Sequence, residues 1–236
     1  GTGGRPLIMA INGTTNTLIW GQIHDFVPAV GSKLIPSDLI ASPYQPFGLS
    51  EVFIVGTHYM PGGTDQVFTY RIDTVTGSPV GTATLFDSGR NDEFTAVCLA
   101  TGTGGGNNGF LITGSTNFNG DWDAIALKID DTGSLINWSN IMDYSTGGDN
   151  YGADVIQRLN TSSQWNYYLA GTVSNGSMGG SDMVVFFIDD NGIGNNEFTY
   201  GTIYSERCSE ISNNATGISV YGNAPTASDA GQEYYV

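Results

Sequence analysis

Residues 110–138 contain the pattern on which the whole chain is built: Phe110-Leu111-Ile112-Thr113-Gly114-Ser115, then Asp121-Trp122-Asp123-Ala124-Ile125-Ala126-Leu127-Lys128-Ile129-Asp130, then Gly133-Ser134-Leu135-Ile136-Asn137-Trp138. The first run is a short apolar strand ending on Gly and a hydroxyl residue. In the second, Ile125, Leu127 and Ile129 recur at every other position, the spacing of a strand with one buried face. Asp131-Thr132-Gly133-Ser134 supplies the turn into the third run, because Asp, Asn and Gly reach tight hairpin conformations at low cost.

The same pattern recurs on either side. Phe53-Ile54-Val55-Gly56-Thr57 and Tyr168-Leu169-Ala170-Gly171-Thr172 repeat the first strand, with Gly56, Gly114 and Gly171 spaced by 58 and 57 residues. Ile218-Ser219-Val220-Tyr221-Gly222 is a weaker copy. Phe68/Tyr70/Ile72, Val184/Phe186/Ile188 and Leu7/Met9/Ile11 repeat the alternating strand, and Leu18-Ile19-Trp20 and Phe198-Thr199-Tyr200 repeat the third. A further strand precedes the Gly strand, as in Glu93–Leu99 and Tyr151–Ile156. Four short strands in each unit of about 57 residues predict an all-β fold, a β-propeller of four-stranded antiparallel blades. A solenoid would need a shorter period, and a sandwich would not repeat at this spacing.

The predicted division is a single propeller region over 1–236: a partial blade over 1–38, blades over 39–92, 93–149 and 150–206, and a partial blade over 207–236. Gly1-Thr2-Gly3-Gly4 matches the turn before the alternating strand, and Glu233-Tyr234-Tyr235-Val236 matches that strand itself. The expectation is therefore a segment of a larger propeller, with contacts to the rest of a longer chain or assembly. The alternative is a closed ring of four blades.

Composition removes other classes. The chain has 236 residues with 34 Gly and only 13% charged residues, which is not the make-up of a helical protein. Its 12 Tyr, 11 Phe and 4 Trp supply the apolar area that disordered chains lack. A formal net charge of −16 repels phosphate backbones and anionic membranes, so nucleic acid is not an expected partner. No apolar run is long enough for membrane insertion. Cys98 and Cys208 lack metal-site or redox spacing and read as two half-buried thiols rather than a disulfide. The acidic, Asn-rich and Lys-poor composition favours an extracellular location.

The Phe110–Trp138 pattern also resembles the secreted β-propeller repeats of Bacteroidetes surface proteins. Those repeats carry an apolar strand ending in Gly-Ser-Thr, an Asp-x-apolar strand ending in Lys-x-Asp, and a Gly-Asn-apolar-x-Trp strand. The resemblance implies a cell-surface or secreted protein of the type IX secretion cargo kind, and it is nearly silent on activity.

Three acids recur before the first strand of a unit, Asp92, Asp149 and Glu206, spaced by 57 and 57, with Asp38 as a fourth of the kind. They read first as turn-locking carboxylates and second as ligands of calcium, a cation that takes oxygen donors. No other cofactor is expected. Trp122 and Trp165 lie at strand edges and are the candidate ligand-binding residues, since an exposed ring stacks on a sugar. His24 and His58 are isolated, and no catalytic residue is singled out. The function expected from all this is a non-catalytic extracellular scaffold or adhesion/binding module on a bacterial surface, with a glycan or surface protein as partner, and not an enzyme. Its alternatives are a glycan-binding or glycan-cleaving propeller, for which an unrepeated carboxylate pair in one pocket would speak, and a structural subunit of a larger surface assembly.

Overall fold

The alternating runs fold as their spacing dictates. The computed structural model describes residues 4–25, 31–43, 50–102, 108–143, 148–174, 180–202, 204–224 and 232–235, and the regular elements among them are all β-strands. Residues 1–3 and 236, which entered the reading of the chain ends, lie outside the described residues. Two compact units divide the chain, Gly1–Phe94 and Thr95–Val236.

In the first unit, β1 (Leu7–Asn12) and β2 (Thr17–Ile23) pair as a two-stranded sheet. Beside them in sequence, β3 (Lys33–Ser42), β4 (Glu51–Tyr59), β5 (Gln66–Asp73) and β6 (Thr84–Phe86) form a four-stranded antiparallel sheet in chain order. Strand β7 (Asp92–Ala100) starts at the end of this unit and continues into the next.

In the second unit β7 is joined by β8 (Gly109–Thr116), β9 (Asp123–Asp130) and β10 (Ile136–Met142). A second four-stranded sheet contains β11 (Asn150–Leu159), β12 (Trp165–Val173), β13 (Asp182–Asp189) and β14 (Gly194–Tyr200), again in chain order. A three-stranded sheet of β15 (Arg207–Asn213), β16 (Ile218–Ala224) and β17 (Gln232–Tyr235) follows. The four-stranded antiparallel sheets agree with the sequence, and among the described residues no sheet closes on itself.

The periodic Gly-Thr has a physical reason. Gly56, Gly171 and Gly222 each sit opposite a bulge in the preceding strand, at Pro36/Asp38, Gly152/Asp154 and Cys208/Glu210. A methyl group there would overlap the carbonyl oxygens of Ile35, Tyr151 and Arg207 respectively, so only glycine lets the bulged backbone close in. The hydroxyl residue that follows reaches onward: Thr57 Oγ1 accepts a hydrogen bond from Phe94 N at 3.3 Å, and Thr172 Oγ1 accepts one from Cys208 N at 3.0 Å. One dipeptide thus permits the bulge and ties its sheet to the strand that opens the next.

Alternate side chains fill the space between sheets. In the first unit Ile54, Phe68, Tyr70 and Ile72 are buried with Leu34, and Ile8 and Trp20 from the two-stranded sheet pack against them. In the second unit Tyr167, Leu169, Val184, Phe186 and Ile188 face Leu111, Ala124 and Ala126. The opposite face of the same sheet, with Ala170, Met183 and Val185, meets Ile211 and Val220. Each such aliphatic or aromatic side chain contributes about 1.5–3 kcal/mol on full burial.

A staple recurs between sheets. Trp20 Nε1 donates to Thr74 O at 2.8 Å and Gln22 Nε2 to Thr76 O at 3.0 Å, so β2 grips the β5–β6 turn. In the second unit Trp138 Nε1 donates to Asp190 O at 3.2 Å and Asn140 Nδ2 to Gly192 O at 3.0 Å, so β10 grips the β13–β14 turn. Each indole lies on the glycine of the gripped turn, Gly77 or Gly192, both at positive φ. Lys128, 1% exposed, adds a third hold on the second turn: its Nζ is 2.5 Å from Asp190 Oδ1, which also accepts from Tyr167 Oη at 3.0 Å.

Candidate functional site

The staple leaves a cleft beside it. Where Asn140 holds Gly192, the ends of β10 and β14 part, and a cavity of about 480 Å³ opens between them. Asn140, Ile141, Met142 and Asp143 line one wall, and Phe186, Phe187, Gly194, Asn196 and Glu197 line the other. Asp143 and Glu197 are both exposed, and among the described residues neither is held in a hydrogen bond or ion pair. Phe187 packs edge-on against Tyr168, with ring centroids 5.5 Å apart, which fixes that wall.

The strand register shows where these acids come from. Glu197 pairs with Phe186, and the corresponding partners in other sheets are Ser139 opposite Leu127 and Gly21 opposite Met9. Its carboxylate is therefore not part of the repeat. Asp143 follows Met142, which pairs with Ala124, as Asp87 follows Phe86, which pairs with Val67. In that sheet Asp87 is used up in a turn, accepting from Gln66 Nε2 and Gly89 N at 2.8 Å each. Asp143 has no such duty. The Asp143–Glu197 pair was missed by sequence reasoning; the signal that could have found Glu197 is an acid at a repeat position otherwise occupied by small residues.

Next to this cleft lies an oxygen-rich corner. Asp123, at the start of β9, is fully buried, and its Oδ2 accepts from Asn119 Nδ2 at 2.9 Å. Burial first, then the charges of Asp143 and Asp121, hold the Asp123 carboxyl above its ordinary pKa. Asn150, at the start of β11, is also fully buried; its backbone N donates to Trp122 O at 2.5 Å and its Nδ2 to Gly148 O at 3.0 Å.

The aromatic candidates separate. Trp122 is half-buried and lies 6.2 Å from the ring of Tyr151, with the planes 32° apart, at the start of β11. Trp165 opens β12 opposite Leu159 at the far end of β11. Eight residues of strand, at about 3.3 Å each, put the two tryptophans roughly 25 Å apart, so they cannot form one platform. The three repeating acids do not converge either. Asp92 accepts from Ser88 N at 3.0 Å and Ser88 Oγ at 2.9 Å, and Glu206 accepts from Thr202 N at 3.1 Å and from the Thr202 hydroxyl. Asp149 accepts from Trp122 N at 3.1 Å and Tyr151 Oη at 3.2 Å. Asp92 and Glu206 each close their own turn, Asp149 reaches instead to the head of the neighbouring sheet, and among the described residues no three His, Cys, Asp or Glu side chains are gathered as a metal cluster.

Asp38 is not the fourth of this set. Lys33 pairs with Tyr59 at the place where Asp149 stands before Asn150 and Val173, whereas Asp38 lies just past a bulge, as Asp154 and Glu210 do. From the β11 bulge Asp154 Oδ2 accepts from Ile211 N at 2.9 Å, reaching to the sheet that follows. The two thiols are half-buried and not joined in a disulfide, and burial pushes the Cys208 thiol up to about 12. No helix among the described residues is long and apolar enough to cross a membrane.

No family model and no curated protein matches the chain. Among solved structures it is similar to the crystal structure of an endo-arabinase from Bacteroides thetaiotaomicron VPI-5482, with 11% sequence identity, 92% of this chain and 76% of that one covered, and a TM-score of 0.48. Against the expectation of a non-catalytic scaffold or adhesion module that is not an enzyme, the solved structure it is similar to is an enzyme's, an activity stated of that protein alone. The expected kinship with Bacteroidetes surface proteins, adhesion and secretion by the type IX route find no support in a family model or a curated relative.

Proposed function

We propose that the chain is a β-propeller, or a segment of one, that acts on a neutral glycan, holding the sugar chain in the cleft between β10 and β14 and cleaving it with the Asp143–Glu197 pair. The single observation that carries this reading is the convergence on one cleft of two exposed carboxylates without structural duties, one of them outside the repeat. Glycoside hydrolysis needs two carboxyl groups on opposite sides of the scissile bond, one giving a proton to the leaving oxygen and the other activating water or attacking carbon. Here they come from different sheets, Asp143 at the end of β10 and Glu197 within β14. Asn196 offers an amide to sugar hydroxyls, and Phe187 offers an apolar ring face. The net charge of −16 disfavours acidic polysaccharides and so selects neutral ones. We read the protein as working outside the cell, where such polymers are met; its acidic, lysine-poor composition supports this.

The test is electrophoresis of the chain through gels cast with neutral polysaccharides, arabinan among them, followed by assay of new reducing ends. The wild-type chain should be retarded by at least one glycan and should release reducing ends from it. Asp143→Asn and Glu197→Gln should each keep the retardation and lose activity by at least about 100-fold, the ordinary worth of a positioned acid or base. Retardation without cleavage would leave a glycan-binding protein and remove the catalytic part of the proposal. No retardation by any glycan would remove both.

A further inference from the structure

The buried corner at the head of β9 and β11 has no part in holding or cleaving a glycan, and its chemistry stands independently of the cleft. Asp123 Oδ1 and Asn150 Oδ1 are buried oxygen atoms with no hydrogen-bond partner, on two side chains that are both 0% exposed. Leaving a buried acceptor unsatisfied costs about 1–3 kcal/mol, and more when it is charged. Two such acceptors at one corner, one a carboxylate, are an arrangement that folding would select against unless something occupies the space between them.

The neighbourhood states the sign of the missing group. Asp121 and Asp143 lie close enough to Asp123 to act on its charge, and among the described residues neither a lysine nor an arginine forms an ion pair with any of the three. Oxygen donors with excess negative charge suit a hard divalent cation, which takes six to eight of them.

We propose that Asp123 and Asn150 form a calcium site at the head of β9 and β11, with Asp121 and water completing the coordination. It is distinct from the repeating acids Asp92, Asp149 and Glu206, whose oxygens already accept main-chain hydrogen bonds from Ser88, Trp122 and Thr202. Only one carboxylate and one amide oxygen are preformed, so the site belongs with the weak calcium modules of about 0.1–1 mM. A cation there links the start of β9 to the start of β11, adding to the Asn150 N to Trp122 O and Trp122 N to Asp149 Oδ1 bonds between them. Because Trp122 is the residue before Asp123, its fluorescence reports on occupancy.

The experiment uses the 236-residue chain stripped with a chelator, titrated with calcium chloride, and followed by thermal unfolding and by terbium luminescence sensitised through tryptophan. The expected result is a rise in Tm of roughly 5 °C once calcium is well above its dissociation constant, and terbium emission that calcium displaces. Both should vanish in Asp123→Asn and persist in Asp131→Asn, a change in an exposed turn. Asn150→Asp, which adds a carboxylate, should bind calcium at least tenfold more tightly. No change in wild-type Tm up to roughly 10 mM calcium, ten times the weak end of that range, or an equal response in Asp123→Asn, would overturn the site. If Asp123→Asn does not fold, Asn150→Asp decides: tighter binding supports the site and unchanged affinity overturns it.

Discussion

Glu197 shows what a repeating sequence hides. Reading the chain by its period finds the residues that build sheets, because those recur, and passes over a residue that occurs once. The hairpin turns, the alternating apolar side chains and the Gly-Thr dipeptide were all legible in this way. The cleft acids were not, since their meaning depends on two sheets meeting at Asn140 and Gly192, and no local spacing encodes that. Asp38 failed for a related reason: its distance from Asp92 is near the repeat, but its register equivalents are Asp154 and Glu210, and Lys33 holds the place of Asp149. His24 illustrates a buried group whose chemistry is legible only in three dimensions. It is 3% exposed, its Nδ1 lies 3.2 Å from Tyr70 Oη, and burial holds its pKa below the usual 6.5. A depressed histidine favours folding fully above its ordinary pKa and stops doing so as pH falls through its folded value. The stability of the wild-type chain to urea should therefore fall as pH drops below about 6.5, by at most about 1.4 kcal/mol per pH unit for this one proton, and His24→Gln should flatten that slope.

Between the strands, the staple makes the sharpest prediction. A Cβ on Gly192 would stand 2.6 Å from Trp138 Cδ2, in a backbone at φ 82°, so Gly192→Ala must displace the indole and strain the turn at once. The expected cost is about 2–3 kcal/mol, read as a lower midpoint in denaturant, and the near-UV circular dichroism of the tryptophans should change with it. The alternating strands supply a second contrast. Ile72 and Ile11 hold the same place before Asp73 and Asn12, yet Ile72 is 1% exposed and Ile11 is 59% exposed. Ile72→Ala should cost about 2–5 kcal/mol, whereas Ile11→Ala should stay within about 0.5 kcal/mol. The sequence pattern is identical at the two sites, so only the presence of a covering sheet separates them. That is why periodicity predicts which face of a strand is apolar and not whether the face is covered.

For the molecule as a whole, composition and period together dictate an acidic all-β chain of short antiparallel sheets, and each of the two units has its own buried core. The acidity follows the same division of labour as the residues. Several carboxylates close turns, as Asp73, Asp92, Asp130, Asp189 and Glu206 do, a few gather at the buried corner of Asp123, and two face an open cleft without other tasks. In the proposed function, the chemistry is carried by that remainder. The most direct measurement is a time course of reducing-end release from the neutral glycan that retards the chain most, run side by side with wild type and Glu197→Gln at matched concentration and fold. Release by the wild type, with a loss of at least about 100-fold in Glu197→Gln and undiminished retardation, is the predicted result. Equal release by both proteins would show that the chemistry is not in this cleft.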